Sequence, residues 1–262
     1  GRWGIAGGLR RARGRRRGAE RRGAQVGAGG GEPRESVFGS GGAYGDDPSF
    51  AASRLGRSLE AAGYKVAILS QPDWKSADAW RAMGPPRLFY AVSAGNMDSM
   101  INHYTANKKR RNTDAYSPGG EIELRPDRAT NVYAQRCREA FRGVPVVVGG
   151  VEASLRRIAH YDWWSEKVRP SVLVSTKADL LGYGMGERTI CEVARRLDAG
   201  EQAQDLRDMR GVAYLLGGKE EISAHFGGDE ETRALPSFEE VQTDKVAFAN
   251  MTRALHHETN PL

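Results

Sequence analysis

Cysteine is scarce in this chain: two residues, Cys137 and Cys191, among 262. So few exclude a disulfide-stapled scaffold and fit a reducing, cytoplasmic setting. Two thiols also cannot supply the three thiolates that an iron–sulfur site with one open iron requires. Long apolar runs are missing as well. No stretch reaches the roughly 18–20 consecutive apolar residues of a membrane helix, so no membrane partner is expected. The basic start is not followed by the apolar run of a signal peptide.

Charge of one sign is missing from most of the chain. The overall net charge is +6, but residues 1–34 carry ten arginines against two acids, Glu20 and Glu32. The remainder holds 29 basic and 31 acidic residues, a net of −2. The basicity therefore belongs to the amino-terminal segment and is no signature of a nucleic-acid-binding domain. Residues 1–36 are mostly Gly, Arg and Ala. Such a segment buries too little apolar surface to offset its ordering entropy, so it is expected to be a disordered tail. Beyond Trp3 the arm has no aromatic residue for base stacking, and nucleic acid is not the expected partner.

What is present alternates between two periods. SFAASRLGRSLEAAGY (49–64), RATNVYAQRCREAFRG (128–143), VEASLRRIAHY (151–161) and GERTICEVARRLDAGE (186–201) carry apolar residues at helical spacing. Between them YKVAILS (64–70), RLFYAVSAG (87–95), VPVVVGG (144–150) and ADLLGYG (178–184) read as buried strands, with GVAYLL (211–216) as a further candidate. Continuous apolar strands alternating with helices predict an α/β fold: a doubly wound, mostly parallel, Rossmann-like sheet covered on both faces. Ligands in such folds sit outside the carboxyl ends of the strands. Gly95, Gly149, Gly150, Gly182 and Gly184 gather there. Residues 96–128 form a long polar connection, expected to be functional or mobile. FEEVQTDKVAFANMTRAL (238–255) reads as helix.

The segments AYGDDPSF (43–50), QPDW (71–74), AGNMDSMINHYT (94–105), RPDRATNVYAQRCREAF (125–141), GGVEASLRRIAHYDWWS (149–165) and KADLLGYGMGE (177–187) resemble the YgiQ family of radical S-adenosylmethionine (SAM) proteins. The resemblance runs from about residue 43 to about 215, with a weaker match at HHETNP (256–261). It implies an amino-terminal domain similar to the cobalamin-binding Rossmann-like fold, followed in cis by a radical SAM barrel with three cysteines as CxxxCxxC. The full-length family then uses a [4Fe–4S] cluster and SAM. This chain ends before that motif is expected, so no cofactor is expected in the chain itself. The family's apolar first strand corresponds here to SVFGSGGAYG (36–45), which is poor in apolar residues, and the first strand is expected to be damaged.

Three units follow: a tail over 1–36, a Rossmann-like domain over 37–217, and a helical segment over 218–262 leading toward the barrel. GGVEAS (149–154) and GYGMGE (182–187) resemble loops that line the nucleotide end of cobalamin in related folds. They supply the candidate cofactor-binding residues Gly149, Gly150, Glu152, Ser154, Gly184, Gly186 and Glu187. Ordinary strand-to-helix turn chemistry accounts for the same glycines. No DxHxxG motif offers a histidine to cobalamin, so cobalamin would bind without one. Asp46 and Asp47 read as helix-capping residues. KKRR (108–111) reads as a solvated loop that could grip phosphate, and RRIAHYDWW (156–164) as an interdomain contact. The expected function is an accessory domain that positions substrate or cofactor against the barrel. A stand-alone cobalamin or small-molecule binder and a basic-armed nucleic-acid binder are the alternatives.

Overall fold

The computed structural model describes residues 3–5, 24–27, 34–43, 51–218 and 233–259. Two short strands, β1 (Trp3–Ile5) and β2 (Ala24–Gly27), come first. The central strand is β3 (Ser36–Ser40), followed by helix α1 (Ala51–Ala61), β4 (Val66–Ser70), the short α2 (Asp78–Arg81) and β5 (Phe89–Ser93). Next come α3 (Ser99–His103), α4 (Ala129–Ala140), β6 (Val146–Gly149) and α5 (Gly150–Leu155). A hairpin of β7 (His160–Asp162) and β8 (Lys167–Arg169) precedes α6 (Val172–Thr176), β9 (Leu180–Gly182) and α7 (Gly186–Asp198). Strand β10 (Val212–Ala213) and helices α8 (Phe238–Thr243) and α9 (Lys245–Thr259) complete the order.

Eight strands form one sheet in the order β1-β2-β4-β3-β5-β6-β9-β10. The five central strands are parallel; β2 and β10 add antiparallel at the two edges. From β3 in the middle the chain winds outward to β4, then returns and winds the other way through β5, β6 and β9. This is the expected doubly wound α/β fold, and its topological switch point lies between β3 and β5.

Side chains alternate across the sheet with period two. Val37, Leu69, Tyr90, Val92 and Val148 pack on one face, against Trp80 of α2, Tyr133 and Cys137 of α4 and Leu173 of α6. Phe38, Ile68, Ala91, Val147 and Leu180 pack on the other, against Leu59 of α1 and Ile190 and Val193 of α7.

The structure corrects the reading of the first strand. SVFGS is not damaged: all five residues are buried and pair in register with both β4 and β5. Its small residues suit the position. A Cβ on Gly39 would stand 3.6 Å from the Trp80 indole nitrogen, which takes up the room a larger side chain would need. Within residues 1–36, β1 and β2 are strands, with Val26 paired to Ala67 at the otherwise open edge of β4. The expectation of a tail without regular structure therefore does not extend to these seven residues; 1–2, 6–23 and 28–33 lie outside the described residues.

The helix expected over 151–161 stops at Leu155, and HYD instead opens the hairpin. The continuous helix expected over 238–255 is two helices, α8 and α9, separated at Asp244.

The long polar connection is an ordered cap over the carboxyl ends of β3, β4 and β5. Arg125 and Asp114 form a two-bond ion pair at 3.0 and 3.2 Å, neither residue more than 2% exposed. Tyr116 accepts a bond from the Ala43 backbone at 3.0 Å, and Gln71 donates to the Ser117 hydroxyl at 2.7 Å. At the switch point itself the chain crosses backbone on backbone. A Cβ on Gly41 would fall 2.1 Å from the Ala94 carbonyl oxygen, and one on Gly95, whose φ is +99°, 2.6 Å from the Gly42 nitrogen. Only glycine allows that approach.

Candidate functional site

The carboxyl ends of β3, β5, β6 and β9 border a cavity of about 280 Å³ between the sheet and helices α1 and α7. Its floor is Phe38, Ala91, Val147 and Leu180; its walls are Ala52 and Leu55 of α1 and Ile190 and Val193 of α7. The interior is apolar because these are the same side chains that form the core on that face. The rim is polar: Ser40, Ser93, Thr189, the turns at Gly149–Gly150 and Gly184–Glu187, and an ion pair of Arg54 with Glu187 at 2.9 Å between the two helices. A slot of this composition suits an apolar group held inside with a polar remainder outside.

Five of the seven predicted site residues meet here: Gly149, Gly150, Gly184, Gly186 and Glu187. Gly149 closes β6 beside the Gly182 carbonyl oxygen, 3.2 Å from where its Cβ would be. Gly150 has φ +79° and leaves room for the Ser93 hydroxyl, which a Cβ would approach to 2.6 Å. Gly184 adopts φ +73° in open space. The glycines thus let the two turns fold back over the strand ends, as strand-to-helix turn chemistry requires.

Glu152 and Ser154 lie elsewhere. Glu152 is 2% exposed, and its carboxylate is committed within the fold. It accepts from the Ser99 backbone at 2.8 Å, the Ser99 hydroxyl at 2.6 Å and the Thr130 backbone at 3.0 Å, tying the first turns of α3 and α4 to α5. Arg156 bridges it to Asp98, at 3.5 and 2.6 Å. Burial, with Glu152 adding to it, raises the Asp98 carboxyl above its ordinary value, although Arg156 pulls the other way. Ser154 is half-buried further along α5, and its carbonyl accepts from Arg157 at 2.6 Å.

The sequence reading missed Ser40, Ser93 and the α1 wall. Ser40 closes the strand that was read as damaged. Asp46 and Asp47 fall outside the described residues, as does the rest of 44–50 between β3 and α1.

The RRIAHYDWW segment is knotted at Asp162, 4% exposed, which accepts from Arg128 at 2.8 Å, Arg169 at 2.7 Å and Ser165 at 2.6 Å. Burial would raise this carboxyl. The donors outweigh burial and hold it far below the usual carboxylate range. Trp163 and Trp164 are half-buried, in edge contact with each other, and Trp164 stacks on Tyr104 at 4.2 Å. Met185 on the slot's rim is exposed, as are Val151 and Leu155 on α5, and the Arg157 guanidinium lies over the Tyr183 ring at 5.0 Å. In KKRR, Lys108 pairs with Glu166 and Arg110 with Glu123, both at 2.5 Å, and Arg111 donates to the Ile101 carbonyl. These partners compete with any phosphate.

The two thiols do not fit an iron–sulfur cluster. Cys137 is fully buried on α4, and burial pushes its thiol well above the ordinary range. Cys191 sits on α7, on the opposite face of the sheet, partly buried and also raised. No cluster of three or more metal-ligating side chains occurs among the described residues. No helix among them is long and apolar enough to cross a membrane.

A family model described as Radical SAM N-terminal matches residues 24–262, which takes in β2 as well as the central sheet. A UPF0313 protein of Rhodopseudomonas palustris is 53% identical over 239 residues, covering 86% of this chain and 35% of its own length. The UPF0313 protein YgiQ of Escherichia coli is 45% identical over 270 residues, covering 85% of this chain and 36% of its own. The chain therefore spans about a third of the length of these relatives. Among solved structures, the radical S-adenosylmethionine methyltransferase TsrM from Kitasatospora setae superposes with a TM-score of 0.46 and 19% identity over 68% of this chain and 28% of its own, too loosely to carry an argument.

Proposed function

The chain belongs to the radical SAM N-terminal family, and from that premise we propose that it is the accessory domain of a longer radical SAM protein, presenting substrate or cofactor to a catalytic barrel elsewhere in the polypeptide. The observation that carries this reading is the slot at the carboxyl ends of β3, β5, β6 and β9, with five of the candidate residues on its rim. Family membership implies a [4Fe–4S] cluster and SAM in the full-length protein, and the cluster would be held by cysteines this chain does not have. The work left to these residues is binding and orientation. The apolar walls take a ring or chain out of water, the glycine turns let backbone approach it, and the exposed Met185 on the rim, with the exposed Val151 and Leu155 of α5, offers the next domain a surface.

Hydrogen exchange tests the reading. The R. palustris relative would be compared whole and cut to its matched segment. Added protection at positions matching 150–157 and 183–187 in the whole protein supports the docking face. Protection confined to the β1–β2 edge would overturn it.

A second reading, a cobalamin or small-molecule binder acting alone, is favoured by the slot's apolar lining. No histidine is among the described residues that line the slot, so none of them would supply cobalamin with an imidazole ligand. Adding cobalamin to the purified chain and recording the visible spectrum separates the two readings.

A further inference from the structure

The long connection contains a second, smaller cavity. It offers about 10 Å³ of space for the centre of a water molecule and is lined by Asn102, His103, Arg110, Arg111, Thr113, Asp114, Ile122 and Glu123. That is about the least room that holds one water. Asn102 and His103 are 6% and 7% exposed. Nε2 of His103 has no hydrogen-bond partner among the described residues, and Nδ2 of Asn102 has none beyond the Asp114 carboxylate. The charged groups around the cavity are engaged. Arg110 pairs with Glu123, Arg111 donates to the Ile101 carbonyl, and Asp114 pairs with Arg125. Asn102 lies near enough to Asp114 to help hold that carboxyl ionised, but it has two amide protons to place.

The geometry points to a bound water in this cavity, accepting from Asn102 Nδ2 and donating to His103 Nε2. The proton balance follows from the other side of the ring. His103 Nδ1 stands 2.6 Å from Asp127 Oδ1, and the Tyr104 hydroxyl donates to Oδ2 at 2.8 Å. The bond to His103, then the one to Tyr104, outweigh burial and keep Asp127 ionised. An ionised Asp127 can only accept, so Nδ1 carries a proton, and in the neutral ring Nε2 is then a lone pair. One water then satisfies both atoms, as buried waters do where at least two polar partners converge. The site takes a hydroxylic ligand of water's size and makes Asp127, His103 and that water a proton-accepting unit, separate from the slot.

Two measurements on the chain decide it. A crystal structure that shows ordered solvent should contain a peak within hydrogen-bond distance of both Asn102 Nδ2 and His103 Nε2, and the peak should be lost in Asn102→Ala. An empty cavity, or a His103 ring turned so that Nε2 bonds a protein atom, would overturn the assignment. Nitrogen NMR of the unaltered chain at about pH 8, above the ordinary histidine range, should show a protonated Nδ1 and a pyridine-like Nε2 for His103. A protonated Nε2 there would overturn it equally.

Discussion

Glu152 Oε2 accepts two hydrogen bonds from Ser99, one from its backbone at 2.8 Å and one from its hydroxyl at 2.6 Å. With Oε1 on the Thr130 backbone and Arg156 alongside, one buried carboxylate holds the starts of two helices. Glu152→Ala should therefore cost about 3–5 kcal/mol of folding stability, the range for removing one partner of a buried charged pair. Urea unfolding of the two chains measures it. A loss below about 1 kcal/mol would show that the carboxylate does not fasten α3 and α4 to α5.

The glycine substitutions should rank by what a methyl group meets. Gly95→Ala combines φ +99° with a 2.6 Å approach to backbone, which cannot rotate away, and should be the most damaging. Gly150→Ala meets the Ser93 hydroxyl at φ +79° and should be intermediate, since that side chain can turn. Gly184→Ala meets nothing and bears only left-handed strain, of about 1 kcal/mol. Thermal midpoints of the three variants give the order. Gly184→Ala as the worst of the three would contradict the account.

Asp162 gives the stability of the chain a pH dependence of known sign. Its folded pKa is depressed, so the stability it contributes is present above the unfolded carboxylate value of about 3.9 and is lost as pH falls through the lower folded value. Asp162→Asn should destabilise the chain at pH 7. The gap between variant and parent in urea midpoint should narrow on acidification below about pH 4. A gap that stays constant or widens would contradict the assignment.

Strands β4, β5, β6 and β9 were legible because their residues are apolar and end in Ser or Gly, the pattern of a strand buried on both faces. Strand β3 was not, because two of its five residues are serine and one is glycine. Its burial comes from neighbours on both sides, and the space at Gly39 is filled by Trp80, 41 residues away. The β7–β8 hairpin was hidden for a different reason. Its turn, Trp163–Glu166, has no Gly or Asn, and Glu166 itself takes φ +55°. Meanwhile RRIAHY continues the helical spacing of α5. The glycine rim of the slot was readable because glycine marks strand ends. Glu152 was placed in the site by its neighbours in sequence, yet its partner Ser99 is 53 positions away, a distance no local pattern spans.

The proposed accessory role puts the iron–sulfur cluster and SAM cleavage outside this chain. The most direct measurement reconstitutes two proteins with iron and sulfide under reducing conditions, adds SAM and assays 5′-deoxyadenosine: this chain alone, and the whole R. palustris relative. A stoichiometric [4Fe–4S] cluster and 5′-deoxyadenosine are expected from the whole relative, and neither from the chain. Cluster uptake with SAM cleavage by the chain alone, or a whole relative that takes up no cluster, would contradict that role.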